Sequence, residues 1–110
     1  MTIGPEDFKK LEIRVGTIME VRDFPAARKP AFQLDIDFGP YGKLCSSAQI
    51  TTLYDKQALR GRQVAAVINF PPKQIAHYWS QCLVLGVADE RGNIVLLEPE
   101  RPMSNGVEVK

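Results

Sequence analysis

The feature that most restricts the fold of this chain is an alternation of apolar and polar residues in short segments separated by glycine and proline. Residues 13–22 and 32–38 both repeat with a period of two, which is the period of a β-strand with two different faces. In the first segment, the alternation predicts that five residues share one face of the strand: Ile13, Val15, Thr17, Met19 and Val21. Gly16 predicts a bulge or bend of the kind that curls a sheet into a small barrel. The pattern therefore predicts a chain built mainly from β-strands.

Two short helices and a third strand are predicted from local sequence. Residues 5–11 begin with proline, carry acids in the first turn and end in lysines, so their charges complement a helix dipole. Thr52 precedes Asp55 by three residues, which is close to a capping box and predicts a helix that runs through Leu59 and stops at Gly61. The third strand is predicted at residues 43–48.

The second half of the chain adds two or three strands. Residues 64–68 are a short apolar run typical of a buried strand, and residues 82–88 and 94–97 predict a hairpin around residues 89–93. Residues 69–81 are expected to form a proline-led loop rich in aromatic side chains. The order of elements predicts an all-β, five-stranded Greek-key barrel of the oligonucleotide/oligosaccharide-binding (OB) type, with a short helix between strands 3 and 4. We expect one domain, 1–110, with an N-terminal helix within the extension 1–12 and a C-terminal extension, 99–110.

Charge and hydropathy limit the location and the partners of the chain. Its 14 Lys+Arg and 13 Asp+Glu residues give a net charge of +1, so RNA binding would require the cations to gather on one face. No apolar run approaches the roughly 20 residues that cross a bilayer, and the acidic N-terminus lacks the features of a secretory signal. We therefore expect a cytoplasmic protein without membrane insertion.

Catalysis, metal binding and cofactors are not predicted. Cys45 and Cys82 are expected to be reduced, buried thiols, and their spacing from His77 matches no zinc pattern. The sequence has no strained nucleophile turn, no glycine-rich phosphate loop and no carboxylate pair. We expect a binding protein that is not an enzyme.

Several segments resemble the tRNA-binding domain family, which includes C-terminal appendages of methionyl- and tyrosyl-tRNA synthetases. The resemblance lies in residues 11–18, 33–39, 59–64 and 95–99. Ser-Ser-Ala-Gln-Ile-Thr at 46–51 and Val-Ile-Asn-Phe-Pro-Pro at 67–72 are similar to an export-related chaperone subgroup of that family. This resemblance implies a homodimer formed through the terminal extensions. It also implies binding of unfolded or precursor proteins for secretion, with tRNA as a related ligand and the export machinery as a further partner.

Two departures from the family pattern bear on ligand binding. Residues 27–30 read Ala-Arg-Lys-Pro where members usually have Ala-Asp-Lys-Leu, which adds a cation. Residues 73–76 read Lys-Gln-Ile-Ala where many members have Lys-Met-Arg-Gly, which keeps the lysine and leaves a more apolar rim.

The candidate ligand-binding residues are cations, small polar side chains and aromatic rings on predicted loops and strand ends. The RNA- or peptide-binding set is Arg28, Lys29, Ser46, Ser47, Asn69, Lys73, His77, Trp79 and Ser80. Cations at the barrel mouth can contact phosphate, whereas the serines and the asparagine can bind a ligand or cap loops. An exposed aromatic ring can stack on a base or cover an apolar interface, and for Trp79 both remain open. The predicted dimer interface comprises Phe8, Leu11, Phe70, Pro71, Pro72 and Val107.

Two functional hypotheses follow. The first is a dimeric cytosolic chaperone that binds unfolded or precursor proteins for export and has tRNA-binding capacity. The alternative is a tRNA-binding protein that acts as a stand-alone RNA-binding or synthetase-assisting module.

Overall fold

The computed structural model describes all residues from Met1 to Lys110 and confirms the predicted fold. Its helices and strands are α1 Pro5–Lys9, β1 Ile13–Asp23, β2 Phe32–Asp37, β3 Lys43–Ala48, α2 Lys56–Leu59, β4 Gln63–Val67, β5 Lys73–Ile75, β6 Tyr78–Ser80, β7 Leu83–Val84, β8 Gly86–Ala88 and β9 Ile94–Leu96. The main sheet has the antiparallel order β3-β2-β1-β4-β7 and curls into an OB-type barrel. β5 pairs with β6, and β8 with β9, in two separate hairpins.

The barrel interior is a single apolar cluster. Its twelve buried members are Ile18, Val21, Phe32, Leu34, Ile36, Phe38, Ile50, Leu59, Val64, Ala66, Cys82 and Leu96. Ile13 and Val15 are also buried, but they do not belong to this cluster, because the inward face of β1 changes along the strand.

A β-bulge in β1 causes this change of face. The pairing with β2 shifts between Ile18 and Glu20, so one extra residue, Met19, interrupts the alternation. Met19 is consequently 45% exposed, and Ile18 is fully buried. The predicted common face for Met19 and Val21 with Ile13 and Val15 was therefore wrong.

Gly16 has a different role from the predicted bulge. A Cβ atom at this position would lie 2.6 Å from Ile36 Cγ2 and 2.7 Å from two ring carbons of Phe38. Glycine is thus required because two core side chains of the barrel pass directly over its backbone.

Helix α2 lies between β3 and β4 as predicted, but it begins later than the sequence suggested. Asp55 is its N-cap, and the Asp55 carboxylate accepts a hydrogen bond of 2.7 Å from the backbone N–H of Ala58. Thr52 therefore lies outside the helix, whereas Gly61, with φ of 83°, follows its end as expected. Neither helix is long and apolar enough to span a membrane.

Side chains close the barrel between β3 and the segment that leads into β7. Across this seam, the Gln81 N–H donates to the Cys45 carbonyl at 2.8 Å, and Cys45 N–H donates to Gln81 Oε1 at 3.0 Å. Ser47 N–H donates to Ser80 Oγ at 3.0 Å, and Ser46 Oγ donates to the Cys82 carbonyl at 2.9 Å. The β3 edge is thereby covered without a regular strand ladder.

The C-terminal extension lies along the first half of β1. Gly106 N–H donates to the Val15 carbonyl at 2.7 Å, Val15 N–H to the Val107 carbonyl at 3.0 Å, and Val109 N–H to the Ile13 carbonyl at 2.8 Å. These bonds, with the bridge between Arg14 and Glu108, add a short antiparallel segment to the sheet.

Arg14 joins this tail to the barrel. Its Nη1 donates to the Gly106 carbonyl at 3.0 Å, and its guanidinium carbon lies 3.8 Å from the centre of the Tyr41 ring. Its Nη2 is 3.5 Å from Glu12 Oε1 and 3.6 Å from Glu108 Oε2. Only 12% of the Arg14 side chain is exposed, so these contacts are largely shielded from water.

Candidate functional site

The segment predicted as a proline-led loop contains the β5–β6 hairpin, which packs against the outside of the barrel. The Phe24 and Tyr78 ring centres are 5.2 Å apart, and Cys45 Sγ donates to the Trp79 carbonyl at 3.1 Å. Ala76 at the hairpin turn has a left-handed φ of 55°. The prediction of a loop was wrong because strands of three residues are too short for the alternation to be recognised.

Tyr78 faces the barrel, and its neighbour Trp79 faces solvent. The Tyr78 hydroxyl is buried without a hydrogen-bond partner, and this burial, with the Cys45 thiol nearby, raises the pKa of Tyr78 well above its usual value. Trp79 pairs across the hairpin with Gln74, and 53% of the residue is exposed. The Tyr78 ring therefore anchors the hairpin to the barrel, and the Trp79 ring is exposed to solvent on the other face.

The three predicted cations are all exposed and free of carboxylate partners. Arg28 and Lys29 lie in the loop between β1 and β2, and Lys73 is the first residue of β5. None of them forms a salt bridge.

The nearby Arg22 is neutralised by a carboxylate. Its Nη1 and Nη2 donate to the two Asp35 carboxylate oxygens at 2.9 and 2.8 Å. This pairing lowers the pKa of Asp35 and raises that of Arg22.

A cavity of about 740 Å³ opens between the β5–β6 hairpin and the β7–β9 strands. Its walls are mainly aliphatic, and Lys73 is the one charged residue that lines it. The lining residues are Ser47, Ala48, Gln49, Ile50, Phe70, Pro71, Lys73, Ile75, Ser80, Gln81, Cys82, Leu83, Val84, Leu85, Gly86, Ile94 and Leu96. The cavity combines an apolar wall with a polar end near Lys73, since Lys73 pairs with Ser80 and Ser80 bonds to Ser47.

The predicted polar residues separate into two groups. Ser47 and Ser80 line the cavity, and His77 lies exposed at the hairpin turn. Ser46 is 1% exposed inside the barrel wall, where its hydroxyl bonds to the Cys82 carbonyl. Asn69 Nδ2 donates to the Lys10 carbonyl at 2.8 Å, and its Oδ1 accepts from Glu12 N–H at 2.9 Å. Ser46 therefore supports the barrel wall from within, whereas Asn69 bonds to the N-terminal segment and remains exposed at the surface.

The predicted interface residues come from the two terminal segments and from residues 70–72 in the middle of the chain. Phe8, Leu11 and Phe70 are exposed apolar side chains, Pro71 and Pro72 are exposed, and Val107 is half-buried in the tail. The two bonds of Asn69 fix the end of the N-terminal segment beside Phe70.

Both cysteines are free thiols; Cys82 is buried as predicted, whereas Cys45 is only half-buried. Burial raises the pKa of Cys82 to about 12, which keeps it protonated at neutral pH. The chain contains no group of three His, Cys, Asp or Glu residues placed to hold a metal ion.

Sequence reasoning missed the aliphatic wall formed by Leu83, Leu85 and Ile94, together with the contact between Phe24 and Tyr78. This wall belongs to strands that the sequence predicted. The opposite side of the cavity is formed by the β5–β6 hairpin, which the sequence did not predict. Only the turn at residues 76–77, between two short stretches of strand-forming residues, could have indicated that hairpin.

An OB barrel that carries a cavity, unpaired cations and an exposed ring has the features of a binding domain. The chain belongs to the family described as "Putative tRNA binding domain", whose model matches residues 13–108. The resemblance found in the sequence is thereby confirmed.

Solved structures of two chaperones are similar over the full fold. Chaperone CsaA from Bacillus anthracis str. Ames has 44% identity and a TM-score of 0.95, with 100% of each chain covered. The CsaA chaperone protein from Picrophilus torridus has 46% identity and a TM-score of 0.93, covering 99% of this chain and 100% of that one. The predicted similarity to the export-related chaperone subgroup agrees with both.

Curated relatives include methionine–tRNA ligases. The enzyme of Porphyromonas gingivalis is 34% identical over 108 residues, which are 98% of this chain and 16% of that enzyme. The match therefore concerns a small part of the ligase, and its catalytic activity is not carried over to this chain.

Proposed function

We propose that this protein is a dimeric cytosolic chaperone that binds unfolded or precursor proteins for export and also binds tRNA. The observation that carries the proposal is the cavity of about 740 Å³, whose aliphatic walls suit an apolar side chain of an unfolded client. The similarity to two chaperones over nearly the whole chain supports the same function. The proposal includes no catalytic step, and the export machinery is the proposed recipient of the client.

The cavity is open to an extended peptide because exposed residues form its rim. Leu83 lines it and is nearly half exposed, and Phe70, which the proposed dimer would cover, lies at the side of the cavity that adjoins the interface. Burial of such apolar surface by a client is favourable by about 25 cal/mol for each Å² removed from water. A weak contact of this kind gains strength when two cavities of a dimer engage one chain.

Replacement of Leu83 by serine tests the cavity. We expect Leu83→Ser to raise the concentration needed to suppress aggregation of an unfolded client by about fivefold, because a part of the apolar wall is lost. The matched control is Leu53→Ser, since Leu53 is 45% exposed, against 49% for Leu83, and lies outside the cavity. Equal effects of the two substitutions, or no suppression by the unaltered protein, would contradict the proposal.

The dimer is proposed to form through the terminal segments. Exposed apolar residues gather there, including Phe8, Leu11 and Phe70, and the C-terminal tail lies beside them on β1. Pairing would remove this apolar surface from water and would place two cavities in one assembly.

The alternative is a tRNA-binding protein that acts as a stand-alone RNA-binding or synthetase-assisting module. It is favoured by the three unpaired cations Arg28, Lys29 and Lys73. The similarity to a segment of methionine–tRNA ligases supports it further.

Charge reversal at Lys73 tests tRNA binding. We expect Lys73→Glu to weaken tRNA binding by about tenfold at low salt and to reduce the salt slope by about one unit. Arg91→Glu makes the same change in net charge at an exposed, unpaired cation between β8 and β9, and should have little effect. Identical salt slopes for both variants and the unaltered protein would exclude Lys73 from the phosphate contacts.

A further inference from the structure

Trp79 is an exposed aromatic residue that lies outside the cavity. It is 53% exposed, it does not line the cavity, and it has no aromatic or cationic partner within the chain. Because exposing this much indole surface to water is unfavourable, a ligand that covered it would gain free energy. The question is therefore which ligand this ring would accept.

The backbone that carries the ring is held firmly on both sides. Tyr78 packs against Phe24, the Trp79 carbonyl accepts a hydrogen bond from Cys45 Sγ, and Ser80 accepts one from Ser47 N–H. The alternation along β6 turns Tyr78 and Ser80 inward and leaves Trp79 outward, opposite Gln74. A ring presented in this way requires little ordering when it binds.

The charges around the hairpin favour a polyanionic ligand. The loop that carries Arg28 and Lys29 starts at Phe24, which contacts the residue before Trp79. Lys73 pairs with Ser80 and lines the cavity, so it lies on the face of the hairpin opposite to Trp79. The carboxylate of Asp35 on the adjoining strand is already paired with Arg22, so it does not oppose phosphate here.

We propose that Trp79 stacks on an unpaired nucleobase of bound RNA, while Arg28 and Lys29 contact the flanking phosphates. This inference rests on the proposed tRNA-binding capacity and narrows it to single-stranded segments, such as loops and ends. Stacking on a flat aromatic ring accepts any base, whereas bases within a duplex expose no face to it. An apolar peptide is the less suitable occupant of this ring, because the cavity provides for it and the unpaired Arg28 and Lys29 lie outside that cavity.

Because Trp79 is the only tryptophan in the chain, its fluorescence reports directly on this contact. We expect single-stranded oligo(A) and tRNA to quench the emission, and the duplex of oligo(A) with oligo(U) to leave it unchanged. Trp79→Ala should weaken binding of oligo(A) by about tenfold, with the salt slope unaltered because no cation is removed. Val87→Ala is the control, since Val87 is also 53% exposed and lies on the other hairpin.

The outcomes separate this inference from the function on which it rests. If tRNA and oligo(A) bind without changing Trp79 fluorescence, or if Trp79→Ala weakens the single strand and the duplex equally, stacking is overturned and RNA binding stands. If an unfolded peptide shifts the emission and RNA does not, the ring belongs to the client site instead. If no RNA binds at all, the tRNA-binding capacity fails and this inference fails with it.

Discussion

Gly16→Val is expected to lower the free energy of unfolding by about 3 kcal/mol, because the barrel interior has no space for a side chain at this position. The nearest atoms to an added Cβ are Ile36 Cγ2 at 2.6 Å and the Phe38 ring at 2.7 Å. Both residues are fully buried, so neither side chain can move into solvent. Urea denaturation followed by circular dichroism measures the change as a lower midpoint with a similar slope.

A second substitution distinguishes this clash from a general loss of strand structure. Phe38→Leu removes part of the ring that the new side chain meets, so the double variant should be more stable than the sum of the two single effects predicts. Strictly additive effects, or an unaltered midpoint for Gly16→Val, would show that the backbone moves to make space.

Arg14→Ala is expected to cost about 3 kcal/mol of stability and to release the C-terminal tail. The substitution removes a charged hydrogen bond to the Gly106 carbonyl and the contact with the Tyr41 ring. Hydrogen exchange at residues 106–109 should become faster, since this stretch would keep only its three backbone bonds to Ile13 and Val15, whereas Thr17 and Gln63 would still hold Met103 and Asn105. If the tail completes the proposed dimer interface, sedimentation at micromolar concentration should show a shift from dimer to monomer.

Two controls accompany this variant. Arg101→Ala removes an exposed arginine paired with Glu100, and little change is expected because exposed pairs contribute little. Arg14→Lys keeps the charge but loses the planar guanidinium, so it should recover only part of the stability. A variant whose tail exchanges rapidly while the protein remains dimeric would remove the tail from the interface.

Most elements of the barrel were predictable because their patterns are local. The alternation in β2 and the turn-forming residues between strands identify them without any knowledge of their neighbours. The bulge at Met19 was not predictable, because it depends on how β1 pairs with β2 at one end and with β4 at the other. A pattern within one strand contains no information on that change of partner.

The candidate site was predicted in part for the same reason. Arg28 and Lys29 are exposed because they lie in a loop at the surface, whereas Lys73 and Trp79 are exposed on the two strands of a hairpin that the sequence predicted as a loop. Ser46 and Asn69 have side chains that could also bind a ligand. In the fold, however, they hydrogen-bond to backbone carbonyls that are 36 and 59 residues away along the chain, which no local pattern could reveal. The cavity itself arises only when the hairpin and the β7–β9 strands face each other.

The barrel is held together less strongly at the seam between β3 and the segment entering β7 than between its regularly paired strands. Separating β2 from β3 would break a ladder of six residue pairs, whereas the seam is joined by one backbone-to-backbone hydrogen bond, from Gln81 N–H to the Cys45 carbonyl, and otherwise by bonds of serine, glutamine and cysteine side chains. Ser47, Ser80 and Gln81 belong both to this joint and to the cavity lining. We therefore expect the wall to open first at this joint when an occupant enters the cavity, because side-chain bonds hold it in place of a strand ladder.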